Sequence, residues 1–196
     1  MSGARTAESD PGVFRRTVAP GIEIKLLEVC DAAALFAAVE RNRAYLGEWL
    51  PWVEGAQRAE DLRHFIEDVV AVQWIEDRGP HCGIWVEGAL VGSIGCHPID
   101  WTNRACSLGY WIDSGRQGQG LVTRSVTTML EYLFDAKRLH RAVIQCAVGN
   151  LPSGAVPARL GFTKEGVLRH AQLLGGRWLD LAVWSMLEEE WRSRAK

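Results

Sequence analysis

The segment Gln117-Gly118-Gln119-Gly120-Leu121-Val122-Thr123 carries the clearest chemistry in the chain. An apolar strand pattern precedes it and an amphipathic helix pattern follows. The first N–H groups of a helix have no intrahelical acceptor, so a helix start favours anions, phosphates above all. Glycines let a ligand approach the backbone closely. No Gly-Lys-Ser/Thr follows, which excludes a Walker loop. The G-x-G-x-x-G spacing is also absent, and no βαβ unit opens the chain, which excludes a dinucleotide fingerprint. A turn that merely joins strand to helix is the alternative at this point.

Other chemistry-bearing groups are weaker. His81-Cys82 and Cys96-His97 fall on the two arms of an expected hairpin. Neighbouring residues in a strand point to opposite faces, so one metal ion could take only one residue from each pair. No metal is expected. Trp49 and Trp52 flank Pro51 and would suit the wall of a peptide or small-molecule slot. Trp85, Trp111, Trp178 and Trp184 lie in strand patterns and are expected in the core, with Trp191 closing the sheet or covering an edge. Arg116, Arg124, Lys137 and Arg159 could meet phosphates or remain solvated.

These groups need a scaffold. The chain has 196 residues, enough for one domain with its own core. Apolar residues at 47% and charged residues at 23% exclude disorder. The net charge of -2 argues against a general nucleic-acid binder. No apolar run reaches the roughly 18 residues that cross a bilayer. Residues 1–19 read as a flexible tail without a secretory core, and 20–196 as one domain. Five scattered cysteines fit reduced thiols in the cytoplasm.

Ile22, Ile24 and Leu26 alternate as a strand, and Asp31 is a plausible cap for the helix after it. A second helix is expected over about 59–77. A hairpin follows over 81–97, turning at Glu87-Gly88-Ala89, then a strand over 105–113. After the glycine turn come a helix to about Asp135, a strand at 141–147 and a short helix at about 153–160. Two strands around Gly175-Gly176 close the chain. Antiparallel runs with one βαβ crossover indicate an α+β (mixed α/β) fold rather than a doubly wound sheet.

With the elements in place, the glycine turn resembles motif A of the GNAT (GCN5-related N-acetyltransferase) superfamily, Gln/Arg-x-x-Gly-x-Gly/Ala. Gln117 and Gly120 match it and Val122 departs from it. Leu108-Gly109-Tyr110-Trp111-Ile112, Asn150 with Ser153, Arg159-Leu160-Gly161-Phe162, Glu165-Gly166-Val167-Leu168-Arg169 and Trp49-Leu50-Pro51-Trp52 look like its RimJ/RimL branch, named for enzymes that acetylate the N-terminal amine of ribosomal proteins. The likeness covers roughly residues 21–191.

The resemblance implies a mostly antiparallel twisted sheet of about seven strands with about four helices, splayed between the fourth and fifth strands. It implies acetyl-CoA as co-substrate, with its pyrophosphate on the amides of Gly118, Gln119, Gly120, Leu121, Val122 and Thr123 after Gln117, and its pantetheine arm along Trp111 and Ile112. It implies direct attack by an amine, most simply a peptide N-terminus, with Asn150 and Ser153 near the sulfur and Ser153 as the acid. Asn150 and Ser153 could instead only cap the short helix. Pro152 and Gly154 depart from the branch and could shift where that helix begins. Trp49 and Trp52 fall on the acceptor side.

The branch's base, a Glu, is replaced by Gln172, which cannot accept a proton at neutral pH. A peptide α-amine titrates near about 8, so about a tenth is neutral at pH 7 and a water relay could suffice. Asp180, His170 and Glu54 are fallback bases. The alternatives are an acyl-CoA-binding module with little activity, a small-molecule acceptor, or another acyl donor. Relatives often dimerise, so a homodimer is possible.

Overall fold

The computed structural model describes residues 14–194. Eight strands form one sheet in the order β1-β2-β3-β4-β5-β6-β8-β7. They are β1 (Arg15–Ala19), β2 (Ile22–Leu26), β3 (His81–Val86), β4 (Ala89–Cys96), β5 (Ala105–Ile112), β6 (Arg141–Ala147), β7 (Thr163–Leu174) and β8 (Arg177–Leu187). All neighbours are antiparallel except β5 and β6. The helices are α1 (Ala32–Arg41), α2 (Arg43–Gly47), α3 (Ala59–Phe65), α4 (Val72–Ile75), α5 (Leu121–Glu131), α6 (Leu151–Arg159) and α7 (Glu188–Ser193).

The sheet has one strand more than the sequence pattern indicates. Residues 15–19 were expected in a flexible tail, yet they pair with β2, and Arg15 makes a two-pronged ion pair with Glu23 at 2.6 and 2.7 Å. Phe14 is buried edge-on against Trp74 and Tyr132. The rest of that segment, residues 1–13, lies outside the described residues. Asp31 also differs from its expected role. Its side chain does not cap α1 but accepts the Glu28 N–H at 3.0 Å and pairs with Lys25 at 3.3 Å.

The long second helix is one run whose middle, Ile66–Ala71, widens into π-helical turns. Its Leu62, Ile66 and Val70 are buried, as the 3.6 period requires. Gln73 in α4 is buried too, and its amide donates to the carbonyls of Cys96 (2.8 Å) and Gly79 (3.3 Å), fixing the helix to the end of β4. The β3–β4 hairpin closes through Glu87 and Gly88, both at positive φ. That twist matches the strands it joins.

The site is opened by a failure of pairing. The parallel β5 and β6 pair from Ala105↔Arg141 to Leu108↔Ile144 and then part, although β5 runs on to Ile112 and β6 to Ala147. β6 stays with β8 along its whole length, down to Ala147↔Leu181, so the sheet splays between β5 and β6. This is the gap expected between the fourth and fifth strands, counted without β1. Helix α5 makes the crossover, with Val126, Met129 and Leu130 fully buried beneath it.

Candidate active site

One cleft of about 1550 Å³ runs from the glycine turn, through the splay, to Trp49 and Trp52. At its first end Gly118 (φ 72°) and Gly120 (φ 70°) are both left-handed, and a methyl group built on either meets nothing within 4 Å. Glycine is needed there for conformation, and the space above it stays open. The helical ladder of α5 begins with the Arg124 N–H donating to the Gly120 carbonyl at 3.0 Å, so the amides of Leu121, Val122 and Thr123 before it have no intrahelical acceptor. Gln117, Gly118, Gln119, Gly120, Leu121, Val122 and Thr123 all line it.

Distant residues hold this turn. Asn42, buried at the end of α1, accepts the Ser114 N–H at 2.9 Å and donates to the Ala38 carbonyl. Arg41 pairs with Asp113 at 3.1 Å. Among the proposed phosphate partners, Arg116, Arg124 and Arg159 line the cleft. Arg124 is braced on the Gln119 carbonyl at 2.9 Å and Arg159 on the Thr123 hydroxyl at 3.0 Å. Lys137 does not join them. It pairs with Asp77 beside Trp101 and Tyr132.

At the splay, Asn150 is the cap of α6: its Oδ1 accepts the Ser153 N–H at 3.2 Å. Pro152 stands in the first turn, where its missing N–H costs nothing. Ser153 is therefore the capped residue and not the cap, and its hydroxyl is free for other work. It stands beside the thiol of Cys146, whose pKa burial pushes up from the ordinary value. Tyr110 reaches across the gap and donates its phenol to the Ser153 carbonyl at 2.9 Å. Burial raises that phenol's pKa, so it stays protonated. Tyr110, Ser153 and Cys146 thus meet where β5 and β6 part. The sequence placed Tyr110 in a motif but gave it no role, because its reach across the gap exists only once the strands separate.

Trp49, Trp52 and Gln172 gather at the far end. Arg43 in α2 holds the corner by donating to the carbonyls of Val53 (2.8 Å) and Ala56 (2.5 Å). The Trp52 ring lies 6.5 Å from that of Trp111. Gln172 donates to the Trp49 carbonyl at 3.0 Å. It reaches there because β7 carries a bulge between Leu168 and Gln172, with His170 at φ 49° and its N–H bonded to Asp180 at 2.8 Å. Asp180, His170 and Glu54 do not line the cleft, so the geometry does not support them as bases. Trp178, expected in the core, is 57% exposed and stacks on His170.

The floor of this end is a set of residues that the sequence did not bring together. Register pairs His81 with Gly95, Gly95 with Gly109, and Ser93 with Trp111. Cross-strand partners share a face and so do alternate residues along a strand. His81, Ser93, Gly95, His97, Gly109 and Trp111 therefore face the cleft together, while Cys82 and Cys96 face the other way. His81 Nε2 lies 3.1 Å from Ser93 Oγ. The metal-like grouping found among the described residues lies elsewhere, at Glu28, Cys30 and Asp31, where the Lys25 ammonium already sits.

A splayed mixed sheet, with a glycine turn opening the crossover helix, defines an acyltransferase of the GNAT type. Residues 22–163 match the family model described as an acetyltransferase (GNAT) domain, and the chain belongs to that family. It is 35% identical over 179 residues to YdaF of Bacillus subtilis (strain 168), provisionally named a ribosomal N-acetyltransferase, covering 91% of this chain and 98% of that one. It is 27% identical to the ribosomal-protein-serine acetyltransferase of Escherichia coli (strain K12), covering 87% and 94%. The structure of RimL, a ribosomal L7/L12 α-N-protein acetyltransferase in complex with coenzyme A, superposes with a TM-score of 0.84 at 25% identity, covering 88% and 97%. The protein is thus an N-acetyltransferase of the RimJ/RimL-like kind.

Proposed function

We propose that this chain transfers the acetyl group of acetyl-CoA to the N-terminal α-amine of a protein or peptide. One observation carries the reading: a single cleft joins an anion-binding helix start to an aromatic-walled slot, with the strand splay between them. The phosphates would take the amides of Gly118 to Thr123, with Arg116, Arg124 and Arg159 alongside. The pantetheine arm would add to the free edge of β5 at Trp111 and Ile112, as an extra strand does. Relatives named for ribosomal-protein acetylation support a protein amine as acceptor, and a neighbour bound to coenzyme A supports the donor.

In this reading the amine attacks the thioester carbon while both reactants are held in one complex, which removes much of the entropic barrier. The C–S bond then breaks, and the departing sulfur would meet the Ser153 hydroxyl at the splay, beside the Tyr110 phenol. Gln172 serves here as a strut for the Trp49 wall. No helix among the described residues is long and apolar enough to cross a membrane. Free cysteines at 30, 82, 96, 106 and 146 agree with the cytoplasm as the place of reaction.

The test is thiol release from acetyl-CoA with a panel of N-terminal peptides, lysine peptides with blocked N-termini, and small amines. Turnover confined to free N-termini supports the reading. Turnover confined to small amines replaces it with the small-molecule alternative, and binding of acetyl-CoA without turnover replaces it with the binding module.

A further inference from the structure

We propose that the imidazole of His97 takes the proton from the acceptor amine over an open floor at Gly109. This rests on the reading of the chain as an acetyltransferase and supplies the base that Gln172 cannot be. A methyl group built on Gly109 would meet only His97 Nε2, at 3.7 Å. The strip of floor between that nitrogen and Trp111 is thus bare backbone, open to a substrate nitrogen. Trp111 stands two residues along the same strand, about 7 Å away at the rise of a strand. His97 itself is fixed from both sides. Its N–H donates to the Ser107 carbonyl at 2.8 Å, and the neighbouring Cys96 carbonyl is gripped by Gln73.

The other titratable groups of the cleft do not suit the task. His81, packed edge-on under Phe65 and over Gly95, is desolvated and lies near the His97 charge, which together push it down to about 4. It stays neutral, and its Nε2 is already engaged with Ser93 at 3.1 Å. The Asp61 carboxyl is held low by its hydrogen bond from Arg58, so it remains an anion. The phenols of Tyr45 and Tyr110 and the thiol of Cys146 are raised by their surroundings and keep their protons. Arg116, Arg124 and Arg159 stand at the phosphate end. Around His97, then, β3 presents His81, β4 presents Ser93, β5 presents Ser107, and the α3–α4 run presents Asp61 and Gln73.

The step balances without another reactant. The ammonium N–H bond breaks and an H–Nε2 bond forms. The freed lone pair attacks the carbonyl carbon and forms the C–N bond. As the C–S bond breaks its electrons leave with sulfur, and the second N–H proton of the attacking nitrogen passes to that thiolate through the Ser153 hydroxyl, giving the amide and the free thiol. His97 is exposed, so its proton passes to water and the imidazole is restored.

The experiment compares wild type, His97→Ala and His97→Gln with a peptide bearing a free N-terminal serine, from pH 6 to 9, alongside calorimetry with CoA. Both variants should lose about 100-fold in kcat/KM near pH 7 with CoA affinity unchanged, since an exposed side chain away from the phosphates is removed. The deficit should shrink above about pH 8, where the amine is already neutral. Added imidazole should rescue His97→Ala. Equal rates and pH profiles in wild type and His97→Ala overturn the proposal while leaving the acetyltransferase reading intact. So does full activity in His97→Gln, which would mark a positioning role. A wild-type enzyme that turns over no amine at all overturns both readings.

Discussion

At the glycine turn, the atoms presented to the cleft are backbone amides of successive residues, Gly118 to Thr123. At the tryptophan end they are side chains gathered from separate segments: Trp49 and Trp52 beyond α2, His81 and Ser93 on β3 and β4, His97 after β4, and Gln172 on β7. A backbone site tolerates most side-chain changes but not a change of backbone conformation or charge. A side-chain site can be retuned one residue at a time. One fold can therefore keep a constant donor while varying its acceptor.

The largest expected effect breaks the first end. Gly120→Asp forces a side chain into a left-handed position and puts a carboxylate on the amides that the phosphates need. CoA affinity should fall by at least about 100-fold by calorimetry. The free protein should melt almost normally, because an acidic group at a helix start is itself favourable. Unchanged CoA affinity would remove the phosphate assignment.

Ser153→Ala tests the boundary between the two ends. Losing a proton donor to the leaving sulfur should lower kcat and kcat/KM alike by about 100-fold. Its melting temperature should hold, because Asn150 caps α6. Asn150→Ala should show the opposite signature in stability, a loss of about 1 kcal/mol. A Ser153→Ala enzyme that turns over normally would leave water to satisfy the thiolate.

Trp52→Ala should affect only the second end, raising the peptide KM about 10-fold with kcat and CoA affinity kept, as expected for lost uniform binding. A matching loss of CoA affinity would show that the two ends are not separable.

The smallest effect is on stability. His81 titrates at about 4 in the folded chain against an ordinary 6.5. Between those values the unfolded chain binds a proton that the native state refuses, so stability is full above pH 6.5 and declines as pH falls toward 4. Denaturant titrations at pH 7, 6 and 5 should show this slope flattened in His81→Gln. An unchanged slope would mean that His81 titrates freely and that the floor is wet.

The cofactor end was legible in the residues because its determinants are local. Glycines at positive φ, an amphipathic helix after them and a cap three residues before Ser153 are all written within a few positions. The acceptor end was legible only in fragments. Trp49, Trp52 and Gln172 were marked by resemblance, but Gln172 reaches Trp49 only through a bulge in β7, and a bulge is set by long-range pairing. The four residues of the two His-Cys pairs showed their alternation, yet which pair members faced a cleft depended on the register of three strands.

By itself the sequence determined the order of elements, the anion-binding turn and the family, since periodicity and glycine chemistry act over short spans. It also carried β1 without advertising it. Arg15–Ala19 has little apolar alternation, and its pairing is confirmed only by Glu23 across the strand and by Phe14 finding Trp74 and Tyr132. Only the tertiary structure decided that Lys137 would leave the phosphate end for Asp77, that Trp178 would stay in solvent, and that His97 would stand over a bare glycine. Each of those outcomes is a contact between residues far apart in the chain, and no local pattern encodes the register that creates it.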